Sequence, residues 1–529
     1  MSGSRTAQTV FRAALALGLL GDHLFRAQVW GLNLALWTGV VIGYRLMLSS
    51  RWHEEAGTAA RHSPWVWLAT LFFVAMWMVR DAPLLLAFDL LAVLALLCLT
   101  LLQGEGVALP TGGAVVLLTA PARGAVHLAI GGLRLASAWR PLIVAAPPAM
   151  RHATAIGIGI LLAIPPVVVF GGLFTAADPV FGATVSWLTR VDLGPLVSHL
   201  CLTGALTWAG AGYLWAIARP VTPIPWPRWR IGVGIVPVLI ALGATALVFT
   251  LFVATQAGSL FGGEAFVRAQ TGLTYADYAR RGFFQMVFAS ALAVPMVYVA
   301  RFVAGPAGEV GARLLRALLT AQLVLTGLVL ASALWRMGLY VRVYGLTEDR
   351  LYGMAVMGWI AATLMAFGLT VLRGQHARGA FGSLVAGFVT LAILNIANPK
   401  ALIARYNLAH QERRPADVAH LVQLGGDAVP VLVARLDRLA PDVRCRLVTE
   451  LIDRHAAPVG DWRGWNLARA RARRAVKTLD EVAAVCAVTH PAELPRSPVT
   501  FLTSARATNL KRSDHANLPS IVRTTPLVK

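Results

Sequence analysis

Residues 82–102 read APLLLAFDLLAVLALLCLTLL, an apolar run with the length of about 20 residues that a helix needs to cross a bilayer. Its one charge, Asp89, is expensive at such a place and marks either an ion or proton role or a hydrogen bond inside a bundle. Comparable runs recur at 29–48, 63–79, 153–175, 195–218, 231–255, 282–300, 317–335, 351–372 and 379–397. A shorter one at 10–25 carries Arg12 and ends in Asp22 and His23. It lacks the small-residue cleavage site of a removed signal peptide and is counted as a first span. The pattern predicts an all-α polytopic transmembrane helical bundle of about eleven spans.

The composition agrees with that reading. Of 529 residues 57% are hydrophobic and only 14% charged, against about 25% charged in soluble domains, and the mean hydropathy is +0.65. Four cysteines exclude a disulfide-dense module. The net charge of +22 comes from arginines that punctuate apolar runs instead of gathering in a stripe, which argues for span flanks and against a nucleic-acid partner. Membrane lipids are the expected partners. The arginines of the even-numbered loops, such as Arg123, Arg134 and Arg140, place those loops in the cytoplasm under the positive-inside rule. Ala205, Ala209 and Gly212 suit close helix approach, and Pro165, Pro166, Gly171 and Gly172 predict a kink or a break in their span.

Beyond residue 397 the chain becomes charged and helix-patterned. Leu421, Leu424, Ala428, Val431, Leu432, Leu436 and Leu439 fall at three- and four-residue steps, with Gly425 and Gly426 as a turn and Pro430 early in the second helix. The expected division is a transmembrane domain at 1–397, a small helical C-terminal domain at 398–489 and a disordered basic tail at 490–529. An eleven-span count puts the C-terminal domain outside, although its basic composition suits the cytoplasm. An outside placement would leave Cys445 and Cys486 in an oxidising compartment, where they can pair.

No P-loop, paired CxxC or nucleophile elbow occurs, and His53-Glu54-Glu55 lacks the second histidine of a zinc-protease helix. No cofactor and no metal site is expected. What remains is a set of polar, aromatic segments: Ala177-Asp178-Pro179-Val180-Phe181; Thr274-Tyr275-Ala276-Asp277-Tyr278-Ala279-Arg280-Arg281-Gly282-Phe283-Phe284; Tyr340-Val341-Arg342-Val343-Tyr344-Gly345-Leu346-Thr347-Glu348-Asp349-Arg350; and Ala404-Arg405-Tyr406-Asn407. At these residues the chain resembles the bacterial membrane-protein family known as domain of unknown function 4173, related to family 4153, from about the third span to Pro430. The resemblance implies an integral protein of a bacterial inner membrane and supplies no reaction or ligand.

By span parity these segments share one membrane face with Asp22 and Asp81, the extracytoplasmic one under the positive-inside assignment. The candidate binding residues are therefore Asp178, Tyr275, Tyr278, Arg280, Arg281, Arg342, Tyr344, Glu348, Arg350, Arg405 and Asn407. Each has a plainer alternative. Arg280 and Arg281 suit headgroup anchors equally well, Asp277 and Glu348 are expected to pair with neighbouring arginines, the tyrosines suit an interfacial belt, Asp178 before Pro179 suits a turn, and His199 suits a buried residue with a partner. Two functions compete. One is non-catalytic binding, transport or envelope sensing of an anionic small molecule or lipid headgroup, with the C-terminal domain available to a protein partner. The other is an envelope enzyme on a lipid-linked or phosphate-bearing substrate, with Asp22, Asp81 or Asp178 as base.

Overall fold

The computed structural model describes residues 2–27, 29–56, 64–145, 147–188, 193–218, 233–261, 282–305, 308–410, 417–457 and 460–489. Among these residues the elements are helical throughout: α1 (Ser2–Phe25), α2 (Leu32–Ala56), α3 (Pro64–Val79), α4 (Pro83–Gly104), α5 (Gly113–Leu118), α6 (Ala120–Ala145), α7 (Pro148–Ala177), α8 (Pro179–Leu188), α9 (Leu193–Ala218), α10 (Ile235–Phe261), α11 (Phe283–Val303), α12 (Glu309–Tyr344), α13 (Glu348–Thr370) and α14 (His376–Ala397). Six shorter helices follow: α15 (Pro399–Ala409), α16 (Val418–Gln423), α17 (Val429–Val433), α18 (Pro441–His455), α19 (Leu467–Val476) and α20 (Asp480–Thr489). Prolines open α3, α4, α7, α8, α15 and α18, positions where a missing N–H costs nothing and the fixed φ already suits a helix.

Seven helices, α4 and α9 to α14, are long and apolar enough to cross a membrane, and shorter apolar helices cover Leu32–Met47 and Pro64–Val79. Among the described residues that number stands in place of the eleven expected. At 36 residues α12 extends about 54 Å, well beyond a hydrocarbon core of about 30 Å.

One expectation changes, and of the kink or break at Pro165-Pro166 the break falls away. Residues 120–145, read as a basic loop, form α6, which packs along α9 and against α4. The contact is intimate: a Cβ on Gly131 would lie 2.5 Å from the Cα of Gly212, so only a glycine pair permits this backbone approach. The Pro165-Pro166 segment neither breaks nor ends its helix, because α7 is continuous from Pro148 to Ala177.

The order of the helix ends follows from contacts. Gly425 (φ 72°) turns the chain between α16 and α17, and Cys445 and Cys486 form a disulfide joining α18 to α20. Among the described residues the short C-terminal helices share a buried core with the bundle. Ile403, Leu421, Leu432, Leu447, Leu451 and Leu479 belong to the same buried cluster as Phe283, Met337, Leu346 and Met357 of α11 to α13. They cover one end of the bundle, where α1, α3, α12 and α14 finish and α2, α4 and α13 begin.

Candidate functional site

The turn between α3 and α4 reads Arg80-Asp81-Ala82-Pro83, and its first two residues hold the C-terminal helices. Arg80 donates from Nε to the Asn395 carbonyl (2.7 Å) and from Nη2 to the Ile396 carbonyl (3.4 Å), closing the end of α14 where carbonyls lack helix partners. Its Nη1 lies 3.5 Å from Asp427 Oδ1. The Asp427 carboxylate, with 3% of its side chain exposed, also accepts from Asn398 Nδ2 (3.2 Å) and from the Asp81 amide. Asp81 in turn accepts from Arg469 Nη1 (2.9 Å) and from the Gly426 amide (3.3 Å). A Cβ at Gly426 would sit 2.8 Å from Asp81 Oδ2, which explains why this approach uses glycine.

Two asparagines complete the joint. Asn398 has φ 54°, a left-handed conformation that Asn tolerates. There it caps α15 through Ala401 (3.3 Å) while reaching Asp427. The fully buried Asn466 caps α19 at Ala468 (2.9 Å) and donates to the carbonyls of Trp77 (2.9 Å) and Arg80 (2.7 Å) at the end of α3. Burial pushes the Asp427 carboxyl above the usual range, with the Asp81 amide and Arg80 pulling it back. Burial pushes the His455 imidazole down, against the charge of Asp81.

Beside this joint lies the α12–α13 turn, where four of the expected residues fall, with two more on the neighbouring α15. Asn407 clamps Leu346, accepting from its amide (2.9 Å) and donating to its carbonyl (2.8 Å). Arg350 donates to the Gly345 carbonyl and stacks its guanidinium 4.2 Å from the Tyr340 ring, which packs on Tyr344. Glu348 pairs with Lys400 at 3.8 Å, not with an arginine as expected, because Arg350 is turned toward Gly345 and Tyr340. Arg342 is exposed in the last turn of α12, and Arg405 is exposed on α15.

Asp178 stands apart from this group. It accepts from the amides of Val180 (2.7 Å) and Phe181 (3.2 Å) and caps α8, as the turn reading had it. Tyr275, Tyr278, Arg280 and Arg281, with Asp277, lie outside the described residues. His199 contacts Asp22 with half of its side chain exposed, so it has the expected partner but not the expected burial. Asp89 accepts from Asn395 Nδ2 (2.7 Å) inside the bundle. Sequence reasoning noted Asp81 and the Gly425-Gly426 turn but missed Arg80, Asn398, Lys400, Asp427, Asn466 and Arg469. The usable signal was a Gly-Gly-Asp turn in a chain that also carries an Arg-Asp pair at a span end.

Residues 67–434 match the family described as domain of unknown function 4153 (DUF4153), and the chain belongs to that family. It is the relative named beside family 4173, not 4173 itself, that matches. The match takes in Arg80, Asp81, Glu348, Asn398, Lys400 and Asp427 and leaves Asn466 and Arg469 outside. No curated protein and no solved structure matches the chain. It is a membrane protein of a family whose description assigns no activity.

Proposed function

We propose that the protein is a non-catalytic sensor of a bacterial inner membrane, in which the C-terminal helices report the state of the polar, extracytoplasmic end of the bundle. One observation carries the reading: Asp81 and Asp427 are engaged by Arg469 and Arg80 across the boundary between bundle and C-terminal helices. A general base needs a carboxylate within reach of substrate and free to take its proton. These carboxylates are instead committed to charge-assisted hydrogen bonds that hold two parts of the chain together.

An anionic small molecule or headgroup arriving at this end competes with Asp81 and Asp427 for the two guanidinium forks, which favour planar, two-pronged binding of carboxylate or phosphate. Release of Asp81 frees the Gly425-Gly426-Asp427 turn and α19 together. A protein partner then reads the loosened C-terminal helices. The disulfide between Cys445 and Cys486 supports the outside placement, since such bonds persist in oxidising compartments.

The test sets binding against turnover. Purified protein is incubated with glycerol phosphate and, separately, with labelled polyprenyl phosphates, while proteolysis near residue 425 is followed. Faster cleavage with added anion and no product supports the sensor. Product formation that disappears in Asp427→Asn assigns an envelope enzyme instead. An alkaline phosphatase fusion after Val485 checks the side: activity supports the outside placement, and inactivity refutes it.

A further inference from the structure

At the opposite end of the bundle a chamber of about 1270 Å³ opens between α11, α13 and α14, with α5 and the turn before it as a further wall. It exceeds the roughly 300 to 1,000 Å³ typical of sites for drug-sized ligands. Leu118, Val294, Pro295, Phe302 and Leu384 are among its apolar walls. Two arginines line it, Arg301 in the last turn of α11 and Arg378 in the first turn of α14, and among the described lining residues there is no Asp or Glu.

Three details ask for an anion with an apolar body. Arg301 has no acidic partner among the described residues, and Arg378 donates from Nη1 to Gln375 Oε1 (3.1 Å) and likewise meets no carboxylate among them. Arg378 stands in the first turn of α14, where a cation opposes the helix dipole. Gln375, the N-cap of that helix, makes no side-chain capping bond, leaving amide donors toward the same end. Inside the chamber, Thr363 is 4% exposed and its Oγ1 has no hydrogen-bond partner, an unsatisfied group of the kind that normally marks a missing ligand or water.

We propose that this chamber binds a phosphate-bearing amphiphile, with the head at Arg301, Arg378 and the open N-terminus of α14 and the chain among α11, α13 and α14. The site is independent of the sensor reading, because the 22 residues of α14 separate it from the polar end by about 33 Å. Lipid tails are as apolar as the chamber walls, so a chain moving in from the bilayer gains little. Selectivity must therefore come from the head, where guanidinium forks form charge-assisted bonds to phosphate.

The test titrates the full-length protein, in an uncharged detergent, with dodecyl phosphate, phosphatidic acid, inorganic phosphate and phosphatidylcholine, reading thermal unfolding. Both phosphate amphiphiles are expected to bind at least tenfold more tightly than inorganic phosphate or phosphatidylcholine. Tighter binding of phosphatidic acid identifies a bilayer lipid as the source, and tighter binding of dodecyl phosphate a single-chain lipid phosphate. Arg301→Gln with Arg378→Gln should lose at least tenfold, the matching Lys variants less, and Ala380→Trp should block the chamber. Unchanged affinity in the Gln double variant overturns the proposal whatever Ala380→Trp does. So does phosphatidylcholine binding as tightly as phosphatidic acid, or inorganic phosphate binding as tightly as dodecyl phosphate.

Discussion

The two ends of the bundle treat charge in opposite ways. At the covered end, Arg80, Asp81, Asp427 and Arg469 lie on segments far apart in sequence and are tied to one another and to backbone groups. At the chamber end, Arg301 and Arg378 line an apolar cavity without a carboxylate among the described lining residues. Yet a closed ion group follows the far end of α4: Glu105, its side chain 1% exposed, accepts from Arg123 (2.6 Å) and His127 (2.8 Å). The difference teaches that burial alone does not decide the use of a charge. Glu105 joins two neighbouring helices, Asp427 joins the bundle to its C-terminal cover, and Arg301 meets no acidic partner among the described residues.

The largest effect should come from breaking the cover. Asp427→Ala strands Arg80 in a mostly buried site, and losing one partner of such a pair costs about 3 to 5 kcal/mol. Chemical denaturation of the detergent-solubilised protein should show a loss of that order, with the carbonyls of Asn395 and Ile396 keeping it toward the lower bound. A loss below 1 kcal/mol would remove the contrast between the two ends. Glu105→Gln comes next. It keeps the shape but weakens charge-assisted bonds to Arg123 and His127, at a cost of about 1.5 to 3 kcal/mol. The sharper readout is locality: α4 and α6 should lose hydrogen-exchange protection while α16 to α19 keep theirs.

A smaller effect concerns pH. Burial lowers the folded pKa of His455, so below about 6.5 the unfolded chain takes up a proton that the folded one resists. Stability from this group is fully present above that value and falls as pH drops toward the folded pKa. Asp427 has the opposite sign: its raised pKa means the folded form holds a proton that the unfolded form has lost, so its contribution falls as pH rises from about 3.9. Comparing wild type with His455→Phe isolates the histidine. Thermal unfolding should show wild type losing ground to the variant as pH falls below about 6.5, and parallel curves would refute this. The smallest effect belongs to the chamber. In lipid-free detergent, Arg301→Gln with Arg378→Gln should stay within about 0.5 kcal/mol of wild type, because neither arginine has an acidic partner among the described residues.

Much of the bundle was legible because each apolar run is a local property. Among the described residues each of the ten clear runs overlaps a helix, and Gly212 was rightly read as a site of close approach. What escaped depends on partners far along the chain. Residues 120–145 looked like a loop because Arg123 and Arg134 interrupt the apolar pattern, yet Arg123 is neutralised by Glu105 and the helix packs through Gly131 on Gly212. Asp427 drew no reading from the sequence, since nothing near it announces that Arg80, 347 positions earlier, is its partner. Asp178 and Asn407, expected as binding residues, hold α8 and the Leu346 turn. The expected arginine partner of Glu348 was the nearest in sequence, whereas Lys400 is the one the fold brings within reach.

The central claim is that the bundle end and the C-terminal helices form one coupled unit through Asp81 and Asp427. Hydrogen exchange of the full-length protein, wild type against Asp81→Asn, tests it most directly. The account predicts faster exchange in residues 418–433 and 466–476 together, with residues 113–145 at the far end unchanged. Unaltered protection in both C-terminal segments would contradict it.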